Sequence, residues 1–350
     1  MIFFSIGLPS RFAEWCDALL LRVVEHQFAH AQSAALNSLE ELAQVLIKSR
    51  SLCLVACCRQ PVARLQNEIT SSGRPFLVAL GDPRAALRDL IDRSGLSLVD
   101  ATRAVASSCA AMLGIAKAPN ALVLRPSSLD DPLAAAAVIA EHLEIPAGLP
   151  ELAGLVDQLI VSQSGLDGDP ELAWLDDLPQ HERAIVIGAL GPYFASFAGD
   201  ELDRLVWEPE LFYTLTNPPA PAPTPILGPI DITGRPRFLV YGPFINLPPG
   251  SWSVDVVLGF SAEAARMSFS LEVFAGAQLT HTRLEVTGEQ VIESRLHVVI
   301  GELIDQPLQI RVLNELAAFD GRLALGYVAI TRQPTIPEET RQRLAEVLKQ

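Results

Sequence analysis

The chain has 350 residues, with 41 acidic against 26 basic side chains for a net charge of -15, and 49% of it is apolar. That length carries two domains, each able to bury its own core. The negative balance argues against nucleic acid or an anionic membrane as a general partner, since both require a cationic face.

In chain order, Ile2 to Ile6, Ser51 to Cys58, Pro75 to Leu80 and Ala121 to Arg125 read as buried strands, because they are apolar on both faces. Between them, Phe12 to Ala35, Ser38 to Lys48, Pro61 to Ser71, Pro83 to Asp92 and Ser97 to Gly114 carry apolar residues at helical spacing. Ser38 with Glu41 makes a capping box, Pro61 and Pro83 suit first turns, and Gly114 suits a stop. The alternation predicts a parallel α/β sheet with helices on both faces. Asp131 to Leu143 follows as a helix, and residues 150 to 211 read as mostly helical. The run NPPAPAPTP, residues 217–225, is a proline-rich linker that favours extended polyproline II. After it, seven short segments from Arg237 to Thr331, several alternating in polarity and separated by turn signals, predict an all-β antiparallel sandwich of jelly-roll type. Pro337 to Gln350 closes the chain as a charged helix. The domain plan is therefore an α/β domain at 1–150, an acidic helical extension at 151–216, the linker, a sandwich at 226–333 and a C-terminal helix at 334–350.

Cys16, Cys53, Cys57, Cys58 and Cys109 all lie in the first third, in apolar segments. An odd, clustered set reads as buried free thiols in a reducing compartment rather than a disulfide frame. The N-terminal apolar run has no basic n-region and is cut short by Arg11, Glu14 and Asp17. The expectation is a cytoplasmic protein without a signal peptide or membrane span.

The first strand, then Gly7-Leu8-Pro9 and a helix, is where a phosphate-binding loop sits in an α/β fold, because a helix N-terminus offers unpaired N–H groups and a positive dipole end. The segment Gly7 to Trp15 resembles the phosphosulfate loop of the sulfotransferase family, G-x-P-R-S-G-T-T-W. Gly7, Pro9 and Trp15 match, Ser10 and Arg11 exchange order, and Phe12-Ala13-Glu14 replaces Gly-Thr-Thr. Phe76 to Asp89 resembles the family's v-v-R-D-P-R-D-v-a-v-S turn: Asp82, Pro83 and Arg84 match, while Gly81 and Asp89 stand where Arg and Ser hold the 3′-phosphate. Leu122 to Ile145 resembles a third family segment through Leu129, Asp131, Pro132, Ile139, Leu143 and Ile145. The resemblance covers residues 1 to 150 and implies a P-loop, PAPS-type fold. It keeps the residues that shape the chain and loses those that touch the cofactor, which implies a degenerate site without catalytic residues or cofactor. Gly7, Pro9, Ser10, Arg11 and Arg84 would remain as a residual anion loop.

Other motifs carry less. His26 and His30 stand one helical turn apart without a third metal ligand, so they read as helix-face histidines and no metal is expected. Cys57-Cys58 lacks CxxC spacing, and Ser107-Ser108 and Ser162 to Gly165 lack a nucleophile elbow. Asp167, Asp169 and Glu171 begin like a calcium loop but lack its Gly and closing Glu. In the sandwich, Tyr241, Trp252, Asn314 and Asp320 resemble the aromatic and short polar residues of carbohydrate-binding modules, and they are the candidate glycan contacts.

The resulting expectation is a non-catalytic protein binding a glycan or protein partner, in surface polysaccharide assembly. The rivals are an active sulfotransferase, or other nucleotide-dependent transferase, using PAPS on a carbohydrate, and a structural homo-oligomer. Residues 151–216 hold -11 of the net charge and residues 1–150 only -1. Charge alone therefore does not exclude a nucleotide from the α/β domain.

Overall fold

A computed structural model of the chain describes residues 1–28, 30–49, 53–162, 173–216, 223–301 and 306–334. They form two compact units, one of residues 1–201, 242–248 and 306–308, the other of residues 202–241, 249–301 and 309–334. Asp167, Asp169 and Glu171, most of the proline linker and nearly all of the expected C-terminal helix lie outside the described residues.

In the first unit the elements run β1 (Ile2–Gly7), α1 (Arg11–Gln27), β2 (Gln32–Ala35), α2 (Leu39–Lys48), β3 (Leu54–Cys58), α3 (Ala63–Ser71), β4 (Phe76–Ala79), α4 (Pro83–Ser94), α5 (Leu98–Ile115), β5 (Ala121–Leu124), α6 (Pro132–His142), α7 (Leu149–Ser162), α8 (Ala173–Asp176) and α9 (Gln180–Ala198). The strands make one parallel sheet in the order β2-β3-β1-β4-β5. This is the α/β sheet the sequence predicts. On one side, Leu19, Leu20, Val23 and Val24 of α1 join Ile139, Leu152 and Val156 over Phe3, Val55 and Leu77 of the strands. α5 packs against α3, α4, α9 and β1.

Caps set the helix starts. Ser10, Ser38 and Asp82 each accept a backbone N–H of the following turn, which satisfies donors a helix leaves orphaned. α5 is long and apolar enough by length and composition to cross a membrane, but it carries Asp100 and Arg103 and 61% of it is buried. Two corrections concern element type. The helix expected to run to Ala35 stops at Gln27, and Gln32–Ala35 forms an edge strand instead. The predicted helical stretch to residue 211 ends at Ala198, and Arg204–Trp207 is a strand.

That strand, β6 (Arg204–Trp207), opens the second unit, followed by β7 (Tyr213–Thr214), β8 (Thr224–Pro225), β9 (Ile230–Asp231) and β10 (Phe238–Val240). β11 (Pro243–Ile245) belongs to the first unit, where it lies against α5. Then come β12 (Gly250–Phe260), β13 (Ser268–Ala275), β14 (Ala277–Glu285), β15 (Gln290–Ile300), β16 (Leu308–Asn314) and β17 (Arg322–Arg332). Two antiparallel sheets result, β10-β16-β13-β14 and β15-β12-β17-β6, with β9 against the start of β17. Phe260 of one sheet and Phe269 of the other meet with ring centroids 4.8 Å apart, so the predicted sandwich is present. Alternation decides its core: Trp252, Val254, Val256, Leu258 and Phe260 share the inward face of β12 and are buried.

The five cysteines are free. Burial raises each thiol above its ordinary range: Cys58 is pushed up to about 12, and Cys57 higher still, with the Asp17 charge adding to the effect. Since the thiolate is the reactive form, native chain at pH 8 should show no fast phase with a disulfide reagent, while all five thiols react once guanidinium unfolds it. A fast native phase would contradict this burial.

Candidate functional site

The loop between β1 and α1 is set by packing. A Cβ at Gly7 would stand 2.7 Å from the Ala13 Cβ and 3.0 Å from the Ala79 Cβ, so glycine lets α1 approach both β1 and β4. The turn Leu8-Pro9-Ser10 then delivers Ser10 as the N-cap, its Oγ accepting the Ala13 N–H at 3.2 Å, while the Ser10 N–H donates to the Leu8 carbonyl at 2.8 Å. Phe12 is buried and stacks on Trp15 at 6.2 Å between centroids. Its Cδ1 lies 3.4 Å from the place a Gly81 Cβ would take, so this ring covers the point where the β4–α4 turn comes closest.

The charged groups around the loop pair with one another. The Arg11 N–H donates to Asp89 Oδ2 at 2.7 Å, and the Arg11 guanidinium pairs with Asp89 Oδ1 at 3.3 Å. Glu14 pairs with Arg93. Asp82 caps α4 through the Arg84 N–H at 2.8 Å and holds the Arg84 guanidinium in two bonds of 3.0 and 2.7 Å. Arg84 also lies 3.9 Å over the Phe194 ring. Three of the four N–H groups that open α1 (Ser10, Arg11 and Ala13) therefore have partners inside the protein, and both cations expected to hold an anion carry carboxylates already. A phosphate arriving here would meet the charges of Asp89 and Glu14, so these residues do not fit a multiply charged nucleotide.

The sandwich redistributes the other candidates. Trp252 is fully buried on the inward face of β12 and cannot be a sugar platform. Asn314 is also fully buried: its Oδ1 accepts the Arg237 N–H at 2.7 Å and its Nδ2 donates to the Leu316 carbonyl at 3.1 Å, which is a structural role. Tyr241 is half-buried beside Tyr213, with centroids 5.7 Å apart. Asp320 is exposed and accepts the Gly321 N–H at 2.7 Å in the turn before β17.

A trough of about 570 Å3 lies elsewhere in this unit. Its floor is Gly259 and Ala324, which pair across β12 and β17 and present almost no side chain, and its walls include Val291, Glu289, Gln290 and Arg322. The Arg322 N–H donates to Ser261 Oγ at 3.0 Å. Nearby Asp231 is held below the usual carboxylate range, first by the Thr233 hydroxyl and N–H, then by Arg237 and Arg322. Val257 and Tyr327 form the neighbouring pair on the same outer face, and Tyr327 is half-exposed there. Strict alternation from the buried Leu323 and Leu325 would turn Tyr327 inward, and only the register shift at Gly326 brings it to the outer face; a depression made by two small residues likewise leaves no signal of its own.

No family model and no curated protein matches this sequence. Solved structures similar to it include a retinol dehydratase in complex with androsterone and inactive cofactor PAP, at 10% identity over 57% of this chain and 81% of that chain, with a TM-score of 0.38. A mouse sulfotransferase complexed with PAP is similar at 11% identity over 57% of this chain and 84% of that one, with a TM-score of 0.37. The CBM36-1 domain of a multidomain xylanase from the hindgut metagenome of Trinervitermes trinervoides is similar at 12% identity over 38% of this chain and 100% of that one, with a TM-score of 0.25.

Replacing Asp89 with Ala should cost about 1 kcal/mol in denaturant unfolding, from the lost contact to a helix N-terminus. It should also open the loop, so that sulfate raises the melting temperature of the variant more than that of the native chain. An equal sulfate response in the two proteins would show that Asp89 does not block the loop.

Proposed function

We propose that this chain is a glycan-binding protein whose α/β unit carries out no nucleotide-dependent transfer. The observation that carries the reading is the Asp89 carboxylate on the Arg11 N–H and guanidinium, because it fills with fixed negative charge the place where a phosphosulfate would need free donors. Phe12, packed toward Gly81, supports the same conclusion by removing the open space a phosphate would need. Recognition then falls to the sandwich. The trough over Gly259 and Ala324 combines what a sugar ring requires: an apolar strip at Val291 and Ala324 for its C–H face, and Glu289, Gln290, Ser261 and Arg322 for adjacent hydroxyls.

Calorimetry with PAPS and with its desulfated product should give no binding up to about 1 mM, and micromolar affinity would overturn the α/β half of the reading. A glycan array probed with the full chain should give signals. Arg322→Ala should weaken the strongest of them about tenfold, as expected for the loss of hydrogen bonds to a charged group, and Ala324→Gln should weaken it by filling the trough. Signals unchanged in both variants would place the sugar elsewhere, and an array without signals would remove the glycan half.

A further inference from the structure

The outer face of the sheet β15-β12-β17-β6, turned away from the sandwich core, is not uniformly open. Ser253 and Asp255 of β12 alternate with the inward Trp252, Val254 and Val256, and Ala329 of β17 is the register partner of Asp255, so all three belong to the outer face. They are nevertheless buried, at 2, 8 and 1% exposure. Ala324, five residues earlier on the same strand and in the floor of the trough, is half-exposed. Two alanines on one strand thus differ in cover, though neither brings bulk of its own.

The surrounding elements do not account for the difference. Arg295 bonds both oxygens of Asp255, at 2.6 and 3.1 Å, yet its own side chain stays 62% exposed, and His297 beside Ser253 is exposed as well. Among the described residues, β12 and β17 pack chiefly against their sheet neighbours β15, β6 and β9 and the turn Pro209–Leu211, which leads to Tyr213, bridged to Tyr241 after β10 of the other sheet. These lie beside the two strands rather than over them.

What remains is the end of the chain. Arg332 still pairs with Trp252, and the Gln333 N–H donates to the Ser251 carbonyl at 2.8 Å, so the chain leaves β17 at the rim of this face. Sixteen residues follow Pro334, and the fourteen from Pro337 to Gln350 are those expected to form a helix, which would span about 21 Å. Laid back along β17, it would pass Ala329, about 10 Å from Arg332, and Tyr327, about 17 Å away, and stop short of Ala324 at about 26 Å. That limit matches the change in exposure between the two alanines. Leu344, Val347 and Leu348 recur at helical spacing and supply an apolar stripe for Ala329 and its neighbour Val206. Asp255 tolerates the cover because Arg295 already neutralises it.

We infer that residues 335–350 dock on the outer face of this sheet, over Ser253, Asp255 and Ala329, and so close the trough on its Tyr327 side. The docking stands on burial and chain length, whereas its consequence, a limit on how far a sugar chain extends along the sheet, rests on the glycan reading.

With the native thiols silent at pH 8, a cysteine placed on the face reports its cover. In the full chain, Ala329→Cys should react with a disulfide reagent at least about a hundredfold more slowly than Ala324→Cys. Adding Leu344→Asp and Leu348→Asp should bring the two rates within about threefold of each other, since the buried stripe is lost. Fast reaction of Ala329→Cys alone, or slow reaction that the two aspartates leave unchanged, would overturn the docking. Six fast thiols would mark an unfolded variant, and Ser253→Cys, close in size and on the same face, then takes its place. On a glycan array, the chain with both aspartates should bind the longer oligosaccharides of a responding series at least about threefold more strongly than the native chain, with the shortest unchanged. Unchanged signals beside a confirmed docking would overturn the closure of the trough. An array silent for both proteins would overturn the glycan reading and this consequence with it, while the thiol rates still decide the docking.

Discussion

The close approach of α1 to the sheet at Gly7 is the constraint on which the first unit depends. With hydrogen in place of a Cβ, Ala13 and Ala79 come together over the end of β1, and the chain must turn within Leu8, Pro9 and Ser10. That short turn fixes both the direction of α1 and the aim of its first N–H groups. A helix N-terminus so placed is an anion site by default, through its unpaired donors and its dipole. Here it receives an anion supplied by the chain itself, since α4 starts at Pro83 and brings Asp89 onto Arg11 two turns later.

The same economy governs the neighbouring cations. Arg11 pairs with Asp89, Arg84 with Asp82 and Arg93 with Glu14. The more exposed pairs, Arg11–Asp89 and Arg93–Glu14, contribute little to stability, with medians below about 1 kcal/mol. Their effect is on occupancy: Arg11, Arg84 and Arg93 each already face a carboxylate, and an incoming phosphate would have to displace one while standing near the other. Residues 1–150 are near neutral because their acidic and basic side chains are almost equal in number, and around this loop the two kinds meet in pairs.

Periodicity made the alternation of elements legible, because buried parallel strands are apolar on both faces and amphipathic helices are not. It failed where an element lacks that signature. Gln32–Ala35 is a strand with hardly any burial, so no apolar run announces it, and its small residues extended the preceding helical pattern. Arg204–Trp207 is four residues long and set among acids, and it becomes a strand only because β17 offers Leu205 and Trp207 a place in the sandwich core. At the site, the matches and losses around Gly7 and Arg84 were readable, but the partner of Arg11 was not. Asp89 lies 78 residues away in sequence, and only the fold brings the two together.

The sandwich shows why residue type is a poor guide to a binding surface. Trp252 and Asn314 looked like ligand contacts because aromatics and short polar residues serve that purpose, yet one belongs to the inward face of β12 and the other satisfies backbone groups behind the Arg237 turn. A large ring releases most free energy when it leaves water, so the sheet places it inside unless alternation forbids it. A recess over a sheet arises in the opposite way, where the residues are too small to cover the backbone. Gly259 and Ala324 do this over β12 and β17, and Ser33, Ala34 and Ala35 do it along β2. In both places longer polar side chains stand at the rim. The backbone is exposed where bulk is missing, and the chemistry of recognition comes from the residues beside that gap.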